Sequence, residues 1–271
     1  MNRIDQLYAR LRGRGDGKPG AAMNFYLTAG HPTMEATGRA IDALARAGTD
    51  VIELGIPFSD PVADGPTIQQ ASAEALAAGA TVSGVIELAA GARRRNPDLA
   101  IVLFGAYNPI LRMGEARFAQ AAAEAGVDGL LVADLPPEAA GALRAEAARH
   151  GLATVFLAAP TTTPERARVI ADASGGFIYY ISVRGVTGAR AALPPDLEDS
   201  VRRLKGLTDK PVAVGFGVAE PDQARSIARF ADGVVVGSAL VRLIGASAGK
   251  ADFEERVEQY AREMVEAVQH G

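Results

Sequence analysis

The sequence has no cysteine, and its 271 residues include only three histidines, His31, His150 and His270. Without cysteine there are no disulfides, no thiolate nucleophile and no cysteine-ligated metal. The same absence suits a reducing compartment, so we expect a cytoplasmic protein. Because histidines are so few, a histidine-rich metal site is also unexpected, and we predict no metal in this chain.

Long hydrophobic runs and a dominant charge are missing as well. No apolar run approaches the roughly 18 residues of a membrane-spanning helix, so we expect none. Lysine and arginine number 28 against 32 aspartates and glutamates, a net charge of −4, which offers no basic surface for nucleic acid. The hydrophobic content of 48% is that of an ordinary globular protein.

What the sequence does contain is a regular alternation of short β-branched runs with alanine-rich helical segments. Between the runs, the patterns around Thr163-Pro164, Pro136-Pro137 and Pro221 are typical of helix starts. Unbroken strand–helix alternation predicts a parallel sheet with helical crossovers. Eight runs predict strands: 24–28, 50–54, 100–104, 129–133, 154–157, 177–181, 212–214 and 233–236.

Eight such units in a chain of this length fit an α/β fold of the (β/α)₈ TIM-barrel type. A doubly wound open sheet is the alternative, but the turn after the first strand, Ala29-Gly30-His31-Pro32, is not a glycine-rich dinucleotide fingerprint. No linker divides the chain, so we expect a single domain over 1–271. Extra helices are predicted at 1–14, where the apolar residues have helical and not signal-peptide spacing, and at about 252–269.

Chemistry in such a barrel gathers where the strands end. Glu53 lies inside the second strand between two apolar residues, where desolvation raises the pKa of a carboxyl toward the working range of a general acid or base. Asp64 follows in the loop beyond. A structural ion pair with an arginine is the alternative for Glu53, and a turn or cap role is the alternative for Asp64. Two carboxylates in different environments can divide into an acid and a base.

Glycine-rich segments follow the last three strands. Gly215 and Gly217 follow strand seven, and Gly237-Ser238 opens a helix after strand eight, an arrangement that predicts a phosphate site unless the glycines serve only tight turns. The loop 182–190 after strand six predicts a mobile lid or an ordinary connection. None of the four lysines follows a strand, so a Schiff-base mechanism lacks its amine. Proton transfer by carboxylates on a phosphorylated substrate remains.

The segment from Glu53 to Gln69, ELGIPFSDPVADGPTIQ, resembles the signature of the tryptophan synthase α subunit family. Further segments resemble that family in its order along nearly the whole chain. The resemblance implies a (β/α)₈ barrel that cleaves indole-3-glycerol phosphate to indole and glyceraldehyde 3-phosphate without a cofactor of its own. It also implies a β-subunit partner in an α₂β₂ complex, which uses pyridoxal phosphate to join indole to serine. The matching segments are 131–136, 159–162, 185–188, 215–217 and 237–239.

The resemblance also implies residue roles. Glu53 matches the acid/base that protonates indole C3 and takes the proton of the side-chain hydroxyl, and Asp64 matches the carboxylate that binds the indole N–H. The remaining matches are Tyr179 and the lid residue Thr187 in support of the reaction, Gly188, Gly217, Gly237 and Ser238 as phosphate binders, Tyr26, Leu131, Leu157 and Phe216 around indole, and Asp60, Pro61, Asn108 and Pro136 facing the partner.

The sequence departs from the family pattern at two places. Ala106 stands where many members have tyrosine, so either the indole pocket is wider or Tyr107 compensates. His31 replaces the usual aspartate after strand one. These departures concern substrate fit and rate and not the class of reaction. Two other functions stay open: a stand-alone indole-releasing lyase, and a weakly active barrel that serves as an allosteric module for the β subunit.

Overall fold

Eight parallel strands form a closed barrel in chain order, in which each strand pairs with the next and β8 pairs with β1. The computed structural model describes residues 2–13, 20–61, 64–181, 193–215 and 217–269. The TIM-barrel prediction is confirmed, and each predicted strand lies within about two residues of an observed one. The strands are β1 (Ala22–Thr28), β2 (Val51–Gly55), β3 (Ala100–Gly105), β4 (Gly129–Val132), β5 (Ala153–Ala158), β6 (Ile178–Ile181), β7 (Val212–Gly215) and β8 (Gly233–Val236).

Helices surround the barrel, and the two predicted extra helices are α1 and α12. Within the described residues the helices are α1 (Arg3–Arg12), α2 (Met34–Arg46), α3 (Pro66–Ala77), α4 (Val82–Arg95), α5 (Tyr107–Met113), α6 (Glu115–Glu124), α7 (Gly141–Arg149), α8 (Pro164–Ala173), α9 (Leu197–Lys205), α10 (Pro221–Ala228), α11 (Ser238–Ser247) and α12 (Phe253–Gln269). None of them alone is long and apolar enough to cross a membrane, and only α3 with α4, bent by 101°, reaches that length and composition jointly.

Two of the three predicted helix starts are confirmed. The Thr163 hydroxyl accepts a hydrogen bond from the backbone N–H of Arg166, 3.3 Å away, and Glu220 caps α10. The start predicted at Pro136 is wrong. There the chain makes one isolated turn, in which the N–H of Ala140 donates to the carbonyl of Pro136, and the ψ of 7° at Ala140 prevents it from continuing into α7.

The amino end of the barrel is closed by α1. Its predicted stripe of Ile4, Leu7, Tyr8 and Leu11 is buried and packs against the inward-facing side chains of the strands. Outward-facing strand residues pack against the surrounding helices in a second, larger cluster. Because apolar packing fills the amino half of the barrel, the space for chemistry lies at the carboxyl ends of the strands.

Candidate active site

Glu53 is a buried carboxyl group in the barrel interior. It lies in the middle of β2, between Tyr26 of β1 and Val102 of β3 in register, and it is 0% exposed. The side-chain amide of Asn24 donates from Nδ2 to Oε1 of Glu53 at 3.2 Å, while Oε2 has no hydrogen-bond partner among the described residues.

No arginine pairs with Glu53 among the described residues, so the structure does not support the ion-pair alternative. Burial raises the pKa of Glu53 to about 8, against the smaller lowering effect of the Asn24 hydrogen bond. A carboxyl group with this pKa can both give and take a proton near neutral pH.

Asp64 follows β2 and is half-buried at the rim of a cavity. Burial raises the pKa of its carboxyl to about 6. The side chain of Gln69 donates to the backbone carbonyl of Asp64 at 2.8 Å, which fixes the backbone at this point. The cap residue of α3 is Gly65, so Asp64 is not the helix cap that sequence allowed as its alternative role.

Three aromatic rings span the interior above Glu53. Phe104 makes edge contacts with Tyr26 and Tyr179 at centroid distances of 5.3 and 6.2 Å. Burial, together with nearby carboxylates, raises the pKa of both tyrosines, so their hydroxyls stay protonated. A Cβ atom at Gly55 would overlap the Tyr26 hydroxyl, and one at Gly215 would overlap that of Tyr179. These two glycines therefore leave the space that the tyrosines occupy.

A cavity of about 360 Å³ opens beside these rings, within the usual size range for small-ligand pockets. Its mainly apolar wall, with the Asp64 carboxylate at the rim, suits a flat aromatic ring that carries a polar N–H. The lining residues are Tyr26, Ile56, Phe58, Pro61, Asp64, Phe104, Gly105, Ala106, Ala133 and Asp134.

Of the predicted indole contacts, only Tyr26 is on this wall. Leu131 and Leu157 pack with Phe104 and Tyr179 in the barrel interior, and Phe216 lies outside the described residues. Sequence reasoning missed Phe104, although alternation along β3 from Ala100 and Val102 indicates that it faces inward. No sequence signal pointed to Ile56 or Phe58.

At the first departure, Ala106 is on the cavity wall, where the larger side chain of a tyrosine would take up more space, and Tyr107 is not on this wall. The Tyr107 hydroxyl instead donates to Oε1 of Glu115 on α6 at 2.9 Å, and its backbone N–H donates to Asp134 at 2.8 Å. Compensation by Tyr107 is therefore wrong. At the other departure, Nδ1 of the buried His31 lies 3.0 Å from Oε2 of Glu74 on α3, so this side chain joins the first loop to a neighbouring helix.

The predicted phosphate binders that the structure describes lie together at the ends of two neighbouring strands. Gly217, after β7, has a φ of +61°, a left-handed conformation that favours glycine. Gly237 directly precedes α11, which begins at the buried Ser238. A Cβ atom added at Gly237 would lie at ordinary contact distance from the side chain of Tyr26. The whole predicted lid, residues 182–190, lies outside the described residues, and with it Thr187 and Gly188.

The four residues predicted to face a partner all follow strands at the carboxyl end of the barrel. Asp60 and Pro61 lie in the loop after β2, Asn108 lies in the first turn of α5 after β3, and Pro136 lies in the loop after β4; all but the half-buried Pro61 are exposed. Leu111, close by on α5, is 56% exposed. Exposed polar and apolar groups thus occur together on this side.

The opposite end of the barrel has a larger cleft of about 790 Å³ beside α1, lined largely by charged residues such as Arg12, Asp172 and Lys210. It contains neither of the two carboxyl groups with raised pKa. Among the described residues no cluster of histidine, aspartate and glutamate is arranged to hold a metal ion. Fold and site together define the class: a (β/α)₈-barrel enzyme with two desolvated carboxyl groups of raised pKa, one in a strand of the barrel and one at the rim of a cavity.

Comparison with known proteins identifies the family. A sequence profile of the tryptophan synthase alpha chain matches residues 16–269. The tryptophan synthase alpha chain of Geotalea daltonii is 49% identical over 250 residues, which cover 92% of this chain and 93% of that one. The one from a Caulobacter species is 44% identical over 98% of this chain and 96% of its own.

Solved structures agree with the sequence relatives. The crystal structure of tryptophan synthase subunit alpha from Legionella pneumophila covers 100% of both chains at 36% identity with a TM-score of 0.91. A chain of Mycobacterium tuberculosis tryptophan synthase superposes with a TM-score of 0.89 at 36% identity, covering 100% of this chain and 99% of that one. The chain belongs to the tryptophan synthase alpha chain family, as its motif indicated, and it is a carbon–carbon lyase of tryptophan biosynthesis.

Proposed function

We propose that this chain cleaves indole-3-glycerol phosphate to indole and glyceraldehyde 3-phosphate, with Glu53 as the acid/base and Asp64 as the carboxylate that faces the indole nitrogen. The observation that carries this assignment is the unequal desolvation of two carboxyl groups near one cavity. Glu53 has a pKa of about 8 and Asp64 one of about 6, so at neutral pH the first is largely protonated and the second largely ionised.

In this mechanism indole C3 must be protonated before a base removes the proton of the side-chain hydroxyl. Protonated Glu53 gives its proton to indole C3, and the ring nitrogen becomes positively charged. The resulting Glu53 carboxylate then takes the proton of the hydroxyl on the side chain. As the aldehyde C=O forms, the C–C bond breaks and its electron pair returns to the ring. One proton has moved onto indole and one off the hydroxyl, so Glu53 ends protonated as it began.

Ionised Asp64 stabilises the positive charge that the ring carries between these two steps. It accepts the hydrogen bond of the ring N–H, which strengthens as the nitrogen becomes cationic. Tyr179 keeps its hydroxyl protonated because burial and the charge of Glu53 raise its pKa, and in this proposal the hydroxyl contacts the reacting side chain. The apolar wall of the cavity excludes water from the ring.

The phosphate of the substrate binds at Gly217, Gly237 and Ser238. The glycines allow close approach to backbone N–H groups, and the amino end of α11 favours a negative charge. Gly188 and Thr187 are proposed to complete this site and the lid. Binding at a distance from the breaking bond holds the substrate in line for both proton transfers.

The chain acts as a single domain with a β subunit in an α₂β₂ complex in the cytoplasm. The family has such a partner, and the exposed groups at the carboxyl end, Asp60, Asn108, Pro136 and Leu111, offer it a surface next to the cavity. Indole released there passes directly to the partner. Pyridoxal phosphate belongs to the partner's reaction, in which indole is joined to serine.

The test is indole release by the purified chain and by its Asp64→Asn variant, each with and without a tryptophan synthase β subunit. The amide keeps the shape and removes the charge, so we expect a loss of about 10²–10³-fold in kcat with the fold unchanged by circular dichroism. Asp222→Asn, the same change at a carboxylate that is 91% exposed, is the control and is expected to retain activity.

Each other outcome contradicts part of the proposal. Near-normal turnover by Asp64→Asn removes its assigned role. Fast release by the wild-type chain that ignores the β subunit favours a stand-alone lyase. No release in either case, from a folded protein that still binds the β subunit, favours an allosteric module.

A further inference from the structure

Asn24 is a polar residue in an otherwise apolar part of the barrel interior. It is 0% exposed, and its register neighbours are Val51 on β2 and Val235 on β8. Burying an amide among valines costs free energy unless its polar atoms find partners. Here the Nδ2 atom donates to Oε1 of Glu53, and the amide is also close enough to the hydroxyl of Tyr8 on α1 to lower the pKa of that tyrosine.

The hydrogen bond makes the two oxygens of Glu53 unequal. Oε1 accepts the amide N–H of Asn24 at 3.2 Å, and Oε2 is buried without a partner. We propose that Asn24 is a positioning residue that anchors Oε1 of Glu53, so that Oε2 is the oxygen that gives and takes the proton in the reaction. This inference rests on the proposed role of Glu53 as the acid/base.

The anchor is compatible with both states of the carboxyl group. When Glu53 is protonated on Oε2, Oε1 is a carbonyl oxygen and still accepts the amide N–H. When Glu53 is ionised, Oε1 carries part of the negative charge and the same hydrogen bond becomes stronger. The side chain therefore need not turn between the first and the second proton transfer, and the proton stays on the oxygen that Asn24 does not hold.

Other groups around Glu53 do not supply this contact. The hydroxyls of Tyr8 on α1, Tyr26 on β1 and Tyr179 on β6 stay protonated near Glu53, but none of them donates to it, because Oε1 accepts from Asn24 and Oε2 has no partner among the described residues. Val102, the register neighbour on β3, is apolar, and the two carboxylates on the cavity wall, Asp64 and Asp134, lie in the loops beyond β2 and β4. The Asn24 amide is the group that favours the ionised form of Glu53 against burial.

The experiment replaces Asn24 and follows Glu53 directly. Asn24→Val removes the amide but suits a strand position flanked by valines, and Asn24→Asp keeps the shape while it removes the N–H donor. Val235→Ala, at the register neighbour of Asn24 on β8, a strand that does not pair with β2, is the matched control. The readouts are thermal unfolding, kcat and KM for indole release across pH, and the ¹³C NMR titration of the Glu53 carboxyl, assigned by its disappearance in Glu53→Gln.

We expect Asn24→Val to lower kcat about tenfold or more, since hydrogen bonds to charged groups are worth that much, with KM changed less than about twofold. The titration of Glu53 and the fall of activity at alkaline pH should both move upward by about one pH unit. Asn24→Asp should move the titration further because it adds a second acid. Val235→Ala should lower the unfolding temperature and leave the titration unchanged.

A Glu53 titration and a kcat that match wild type in Asn24→Val and Asn24→Asp would overturn the proposal. The NMR titration does not depend on catalysis. A wild-type chain that releases no indole would therefore defeat the proposed function, and a shifted titration in the variants would still establish the contact between Asn24 and Glu53.

Discussion

The two ends of the barrel treat carboxylates in opposite ways. At the amino end, Asp50, Asp128 and Asp232 each directly precede an even-numbered strand and accept the backbone N–H of the odd-numbered strand beside it. The donors are Met23, Ile101 and Val212, at 2.9, 2.9 and 2.8 Å. At the carboxyl end, Glu53 accepts one amide N–H and Asp64 has no charged partner among the described residues.

The aspartates at the amino end also have cationic partners, which Glu53 and Asp64 lack among the described residues. Arg10 lies 3.4 Å from Asp50, Arg93 2.7 Å from Asp128 and Lys205 2.8 Å from Asp232. The same repeated unit, an aspartate before a strand, thus ties neighbouring strands and helices together at the amino end. The amide and cation partners of these aspartates join neighbouring elements, whereas a carboxyl group that is desolvated without a cation can exchange protons near neutral pH.

The largest expected effect is that of Glu53→Gln, which should lower activity and raise stability at alkaline pH. Glu53→Gln keeps an acceptor for Asn24 but cannot transfer a proton, so indole release should fall about 10²–10⁴-fold. Burial raises the pKa of Glu53 from 4.5 to about 8, so wild type loses stability as pH rises between these values and Glu53 ionises only in the unfolded chain.

The glutamine variant escapes that loss. We expect its free energy of unfolding to exceed that of wild type by on the order of 2–4 kcal/mol at pH 9, and by little at pH 4.5. Urea unfolding at the two pH values measures the difference. An equal effect at both pH values would mean that Glu53 is not held protonated by burial.

The next largest effect is expected at the amino end, where a substitution should lower stability and leave activity nearly unchanged. Asp128→Asn removes the charge that pairs with Arg93 and Arg3, while the aspartate side chain is only 2% exposed. Breaking a buried pair from one side costs about 3 kcal/mol, so we expect a loss of that size in urea unfolding with kcat within about twofold of wild type. A variant that keeps its stability but loses activity would contradict the division between the two ends.

The smallest effect should come from an ion pair that belongs to neither end. Glu198 and Arg202 lie one turn apart on α9, 2.7 Å from each other, and both side chains are more than half exposed. Water screens such a pair, so Glu198→Ala should change the free energy of unfolding by less than about 0.5 kcal/mol and leave kcat unaltered. A loss comparable to that of Asp128→Asn would show that burial does not set the scale.

Local sequence patterns were enough to predict most of the strands and the helix that closes the barrel. The β-branched runs follow from strands that are buried on both faces, and the apolar stripe of α1 follows from burial with a period of 3.6; a linear sequence displays both patterns directly. The start predicted at Pro136 failed because a proline pair is equally compatible with one closed turn, and only the backbone of Ala140 distinguishes the two. The predictions for Thr187, Gly188 and Phe216 stay predictions, because these residues lie outside the described part of the chain.

By itself, the sequence determined the alternation that builds a barrel, and it placed Glu53 inside a strand and Asp64 beyond it, because both are properties of neighbours in the chain. Only the tertiary structure decided that Asn24, 29 residues away from Glu53, holds one of its oxygens, and that Tyr107 turns toward Glu115 and leaves Ala106 on the cavity wall. The physical reason is that desolvation and hydrogen bonding depend on which strands become neighbours when the barrel closes, and a linear pattern does not contain those distances.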